Sequence, residues 1–132
     1  MNVIESIENI ENALDELSEE NEIYPIVVEG DKDLEALREF DINGTILVLN
    51  MGVSLTDFCD LIAIKYKEII LLTDWDRKGG FLCRTISKNL EGRVVCNTRY
   101  REIFAKNAMV RTVESLPSWL ETMKKRLNEM RG

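Results

Sequence analysis

The chain has 132 residues, the size of one domain, with 45% apolar and 31% charged residues, a globular composition that leaves no space for a multidomain machine. It contains no histidine, which excludes a Ser-His-Asp or Cys-His nucleophile, a histidine general base and the usual Cys/His zinc cluster. The formal net charge of −7 is divided unevenly: residues 1–76 carry 19 acids against 4 bases, residues 77–111 carry 9 bases against 2 acids, and the sign reverses directly after Asp76.

In chain order, Val3, Ile4, Ile7, Ile10, Leu14 and Leu17 recur at spacings of three and four with acids between them, which predicts an acidic amphipathic helix within residues 1–22. Such a helix covers a core face or docks a protein partner or a second copy of the chain. Tyr24-Pro25 breaks it, and Ile26-Val27-Val28 reads as a buried strand ending in Glu29-Gly30. Asp31 to Phe40 is a helix with Leu34, Leu37 and Phe40 inward, and Asp31 or Asp33 suits its dipole. Residues 45–49 form the second strand, bounded by Asn50 and Gly52. Ser54 or Thr56 then caps a helix running through Phe58, Leu61, Ile62 and Ile64 to about Tyr66.

The run 68–73 is the strongest strand signal and stops at Asp74-Trp75-Asp76. After Gly79-Gly80 comes a helix with Leu82, Ile86 and Leu90 on one side, closed by Gly92. Residues 93–96 are a fourth strand, 99–107 a short helix and 109–113 a last edge strand. Ser115 opens a final helix that presents Leu116, Trp119 or Leu120, Met123, Leu127 and Met130 to the body. Near-continuously apolar strands alternating with helices predict an α/β fold over residues 23–114, with a parallel sheet of four to five strands covered on both faces and residues 115–132 packed onto it. Cys59, Cys83 and Cys96 are expected as reduced core side chains, and Tyr24, Tyr66 and Tyr100 as core or surface side chains. The apolar runs are too short to span a bilayer and the N-terminus lacks the basic start of a signal peptide, so a cytoplasmic protein with no membrane association is expected.

Ligands of open parallel sheets bind at the carboxyl ends of the strands. Glu29 ends the first strand, and Asp74 and Asp76 follow the third, so if those strands are neighbours the carboxylates converge. Residues two apart in extended chain point the same way, which lets both aspartates aim at one place. Close carboxylates repel unless a cation sits among them, and oxygen ligands without His or Cys select a hard ion, Mg²⁺ or Mn²⁺. The alternative is that such acids merely cap the next helix. Haloacid-dehalogenase phosphatases, receiver domains and nucleotide-sugar transferases also use paired acids, but they want a Thr after the pair, a Lys after a fifth strand, or a much larger chain.

The stretches IVVEGDKDLEAL (26–37) and IILLTDWDRKGG (69–80) resemble the two motifs of the Toprim domain, shared by bacterial primases, type IA and II topoisomerases, OLD-family nucleases and the nuclease that matures 5S ribosomal RNA. In layout the whole chain is similar to the small stand-alone Toprim proteins of archaea, described as primase-like or as similar to the 5S RNA maturation nuclease. The resemblance implies a Rossmann-like Toprim fold in which Glu29 binds catalytic Mg²⁺ and acts as general acid or base, Asp74 bridges to a second ion and Asp76 holds that ion. It implies Mg²⁺-dependent phosphodiester chemistry on RNA or DNA, foremost nuclease-type processing. The alternatives are primase-like nucleotidyl transfer and a binding module that depends on a partner for turnover.

Asp33 is a candidate to sit behind Glu29, or simply a helix-start acid. Arg77, Arg84 and Lys88 fall at i, i+7 and i+11, one helix face beside the acids, and Lys78, Arg99, Arg101 and Arg111 extend it as a nucleic-acid backbone track. The alternative is a solvated face balancing the acidic half. Lys32 and Lys78 are also placed to contact a mononucleotide.

Overall fold

The computed structural model describes residues 2–49 and 52–131. Ten elements follow in order: α1 (Val3–Asn21), β1 (Ile26–Val28), α2 (Asp31–Glu39), β2 (Ile46–Val48), α3 (Leu55–Lys65), β3 (Glu68–Leu71), α4 (Arg77–Leu90), β4 (Val95–Asn97), α5 (Arg99–Asn107) and α6 (Leu116–Arg131). The strands form one parallel sheet in the order β2-β1-β3-β4. The α/β architecture with helices on both faces is as expected from the sequence, with four strands. Asn50, expected to bound the second strand, lies outside the described residues.

Alternation along the strands divides the core in two. Ile26, Val28, Ile70 and Leu72 face one layer, where Ile10, Leu14 and Leu17 of α1, Tyr100 and Phe104 of α5 and Leu116 of α6 pack. Val27, Ile69 and Leu71 face the other, against Phe58, Cys59 and Ile62 of α3 and Cys83, Ile86 and Leu90 of α4. From Ile7 onward the apolar stripe of α1 is therefore buried within its own chain, while Ile4, expected in that stripe, is 43% exposed at the first turn; the acids are turned outward. Cys59 and Cys83 are buried free thiols and Cys96 is half-buried.

Local chemistry accounts for the helix ends. Asn2 caps α1 by accepting from the Glu5 amide, and Ser54, rather than Thr56, caps α3 by accepting from the Asp57 amide at 3.1 Å. Asp76 caps α4 through Gly79, so that helix begins at Arg77 and contains Gly79-Gly80 rather than following them. Gly92 takes a left-handed φ of 79° after α4, a conformation that favours glycine. The Arg93 and Val94 amides return to the Leu90 carbonyl, which delays β4 by two residues relative to the expected 93–96.

Three expectations are corrected. Residues 109–113 are not a fifth strand, because the Arg111 carbonyl accepts from the Trp75 amide and the Val113 amide donates to the Asp74 carboxylate, leaving the segment pinned to the β3–α4 loop instead of a ladder. Leu61 and Ile64 are exposed, since the inward face of α3 is carried by Phe58, Cys59 and Ile62. Met130 is 82% exposed, as the last turn of α6 runs past the body it packs on.

Candidate active site at the sheet switch point

After β1 the chain crosses to β2 on one side and then returns to β3 on the other, so the strand order reverses between β1 and β3. The register pairs Ile26 with Ile70 and Val27 with Leu71. The carboxyl ends of these neighbours, the usual ligand position of a parallel sheet, carry Glu29 and Asp74. The Asp74 amide donates to Glu29 Oε2 at 2.8 Å, joining residues 45 apart in the chain.

Each acid has at least one oxygen held by a backbone amide. Asp74 Oδ1 accepts from the Val113 amide at 2.8 Å, and Asp76 Oδ1 accepts from the Gly79 amide at 2.7 Å. Both oxygens of buried Asp33 are engaged, by the Gly30 amide at 3.1 Å and the Glu114 amide at 3.2 Å. Asp33 thus serves the start of α2 and fastens the loop after α5. Among the described residues Glu29 Oε1 and Asp74 Oδ2 take no such bond. Glu29, Asp33, Asp74, Glu114, Lys78 and Lys32 all line one open cleft of about 750 Å³. Asp76 does not line it; it is the cap of α4, and its charge acts on the cleft from the side.

Burial pushes the Asp74 carboxyl up to about 7; the Val113 amide opposes this, and the charges of Asp33, Glu29 and Asp76 add to it. Glu29 is raised by burial, lowered by the Asp74 amide, raised by Asp76, lowered by the Lys78 ammonium and raised by Asp33. Asp33 is raised by burial against the Gly30 and Glu114 amides. Partly desolvated carboxylates that repel one another at a strand end form a site where added positive charge is favourable. The donors are all oxygen, which fits a hard divalent ion. Among the described residues no three His, Cys, Asp or Glu side chains close a cage. Magnesium, held by one or two carboxylates and otherwise by water and phosphate oxygens, requires none.

Gly79 is dictated by the same turn. A Cβ there would stand 1.8 Å from the Asp74 carbonyl oxygen, and Thr73 Oγ1 donates to the Gly79 carbonyl at 2.8 Å, so the first turn of α4 lies directly on the loop that bears the aspartates.

The basic residues separate. Arg77, Arg84 and Lys88 are exposed along α4. Arg101 donates through Nε and Nη2 to the Asp74 carbonyl, both at 3.1 Å. Arg84 Nη1 and Arg101 Nη2 come within 3.3 and 3.5 Å of the point a Gly80 Cβ would occupy, so two guanidiniums meet over Gly80, and neither has an ion-pair partner among the described residues. Arg99 is directed elsewhere: it pairs with Glu16 at 2.6 Å and lies 5.2 Å from the Tyr100 ring centre, fastening α5 to α1. Lys32 pairs with Glu35 at the cleft rim. Sequence reasoning missed Val113 and Glu114, whose amides hold Asp74 and Asp33 across 39 and 81 residues; a backbone donor leaves no signature in side-chain identity.

Residues 25–107 match the Toprim domain family. A UPF0292 protein of Thermoplasma volcanium is 44% identical over 102 residues, covering 76% of this chain and 86% of its own. One from Methanocaldococcus jannaschii is 35% identical over 119 residues, covering 88% and 93%. A solved structure of a protein from Aquifex aeolicus superposes with a TM-score of 0.70 at 24% identity, covering 80% of this chain and 95% of that one, a likeness of fold.

Proposed function

Because the chain belongs to the Toprim domain family, we propose that it carries out Mg²⁺-dependent phosphodiester chemistry on nucleic acid, foremost cleavage of RNA or DNA, at the Glu29–Asp74 cleft. The observation that carries this reading is the Glu29–Asp74 contact at the switch point, which leaves one carboxylate oxygen of each residue free beside a cluster of like charge.

Glu29 and Asp74 would hold the ion, with Asp76 contributing from the start of α4. When bound, the divalent cation supplies charge neutralisation on the phosphodiester in flight. Glu29, with its proton affinity raised by burial, is placed to give or take a proton at Oε1 while the Asp74 amide fixes Oε2. The Val113 and Glu114 amides hold Asp74 and Asp33 rigid from behind. Lys78 and Lys32 line the cleft as its cations, and over Gly80 the Arg84 guanidinium offers a flanking phosphate a fork of donors beside Arg101, whose Nε and Nη2 are given to the Asp74 carbonyl. Arg77 and Lys88 continue that track along α4.

The test is incubation of end-labelled structured RNA, single-stranded DNA and duplex DNA with Mg²⁺ or Mn²⁺, comparing wild type with Glu29→Gln and Asp74→Asn. Metal-dependent products lost in both variants support the reading and identify the substrate class. Equal inertness of wild type and variants overturns cleavage, and points to nucleotidyl transfer or to a module that acts with a partner.

A further inference from the structure

A second groove, of about 530 Å³, runs along α6 and meets the acidic cleft at Glu114, which lines both. Ser118, Trp119, Thr122, Met123 and Arg126 follow one another at spacings of one and three, so they share one face of α6 and form one wall; Met109 of the preceding loop contributes from the other side. Trp119 packs in part on the core and is otherwise open to the groove, and among the described residues its indole N–H has no hydrogen-bond partner. Trp75 is its contrast, with its N–H given to the Val110 carbonyl. Arg126 on the wall has no ion-pair partner among the described residues.

We infer that this groove receives an unpaired nucleobase of the same strand whose phosphodiester lies in the acidic cleft, so that the substrate is single-stranded, or splayed, at the reacting nucleotide. The inference rests on the nucleic-acid reading above and adds the substrate class. An indole and two thioethers offer flat, polarisable surface for a base of any identity, and Ser118 and Thr122 offer hydroxyls to its edge. The guanidinium of Arg126 suits a phosphate beside it. A base inside a duplex is stacked and paired and does not reach such a groove without being extruded. A protein segment suits it less, because only Met109 among its apolar side chains is widely exposed, at 66%, and the rim is polar.

The experiment measures binding to the full chain in the Glu29→Gln background with Mg²⁺, which removes turnover. The probes are a short single-stranded oligonucleotide, an abasic strand of equal length and a blunt duplex. The base-bearing strand is expected to bind about tenfold more tightly than the abasic strand and to quench tryptophan emission. Adding Met109→Glu or Trp119→Ala should bring it to the abasic level, and Trp119→Phe should retain part of the preference. Met109 does not belong to the core, so Met109→Glu decides the matter even if Trp119→Ala fails to fold. Equal affinity for base-bearing and abasic strands, with Arg84→Glu/Lys88→Glu still weakening both, overturns the groove while leaving the nucleic-acid reading in place. Absence of binding by any strand at low salt overturns both. Emission that responds to an apolar peptide and to no oligonucleotide reassigns the groove to a protein partner and overturns the inference.

Discussion

Asp74 donates its backbone amide to the Glu29 carboxylate at 2.8 Å while its own carboxylate accepts from the Val113 amide at the same distance. One residue is thus donor to the neighbouring strand end and acceptor from the loop after α5. Backbone amides thus fix one oxygen of each acid, and the other oxygen takes no hydrogen bond among the described residues.

This arrangement separates chemistry from folding. Glu29→Gln preserves an acceptor for the Asp74 amide, so the melting temperature is expected to stay within a few degrees of wild type. Metal-dependent turnover should fall about a hundredfold or more, since in the proposed mechanism the substitution removes both an anionic ligand and the proton-transfer group. Paired melts and cleavage assays check this.

Asp74 makes the metal-free protein sensitive to pH. Its folded pKa of about 7 lies above the value of about 3.9 expected in the unfolded chain, so the stability it contributes is present below about pH 4 and lost as the pH rises through 7. Asp74→Asn keeps the acceptor for Val113 and cannot ionise. With a chelator present, its melting temperature should exceed that of wild type by several degrees at pH 8, and the difference should shrink steadily toward pH 4. A difference that does not change with pH counts against the raised value.

A divalent ion should reverse that penalty. At pH 8, Mg²⁺ or Mn²⁺ at a hundred times its dissociation constant is expected to stabilise wild type by about 2.7 kcal/mol. Glu29→Gln and Asp74→Asn should lose most of the effect, and chelation should restore the starting value. Calorimetric melts with and without metal distinguish these outcomes.

Gly79→Ala tests the turn itself. A methyl group 1.8 Å from the Asp74 carbonyl oxygen must displace backbone on one side or the other, at a cost of about 2–4 kcal/mol by urea denaturation. Gly52→Ala offers a comparison, since no atom lies within 4 Å of a Cβ there and only its positive φ of 77° resists the change.

On the proposed reading the exposed face of α4 sets the salt dependence of nucleic-acid binding. Arg84→Glu with Lys88→Glu should weaken nucleic-acid binding and reduce the slope of log affinity against log salt by about two. Arg99→Glu should leave that slope nearly unchanged, because its guanidinium is held by Glu16 on the α1 side of the molecule.

The sequence by itself determined the α/β class, the four strands, the amphipathic α1 and the acids at two strand ends, because apolar periodicity and turn residues act over a few positions. It also located the charge reversal at Asp76. What it left open was which strand lies beside which, and therefore whether Glu29 and Asp74 meet; that depends on the order β2-β1-β3-β4, a property of packing between distant segments. The 109–113 segment shows the limit well. Its β-branched Val110, Thr112 and Val113 suit a strand, but the Asp74 carboxylate and the Trp75 amide take its backbone groups first. The same holds for the basic residues: composition placed Arg99 and Arg101 together, and the tertiary structure sent one to Glu16 and the other to the Asp74 carbonyl. Only in three dimensions do Glu114 and Trp119 acquire a setting, since a groove is a relation between α6 and the loop before it and is written in neither alone.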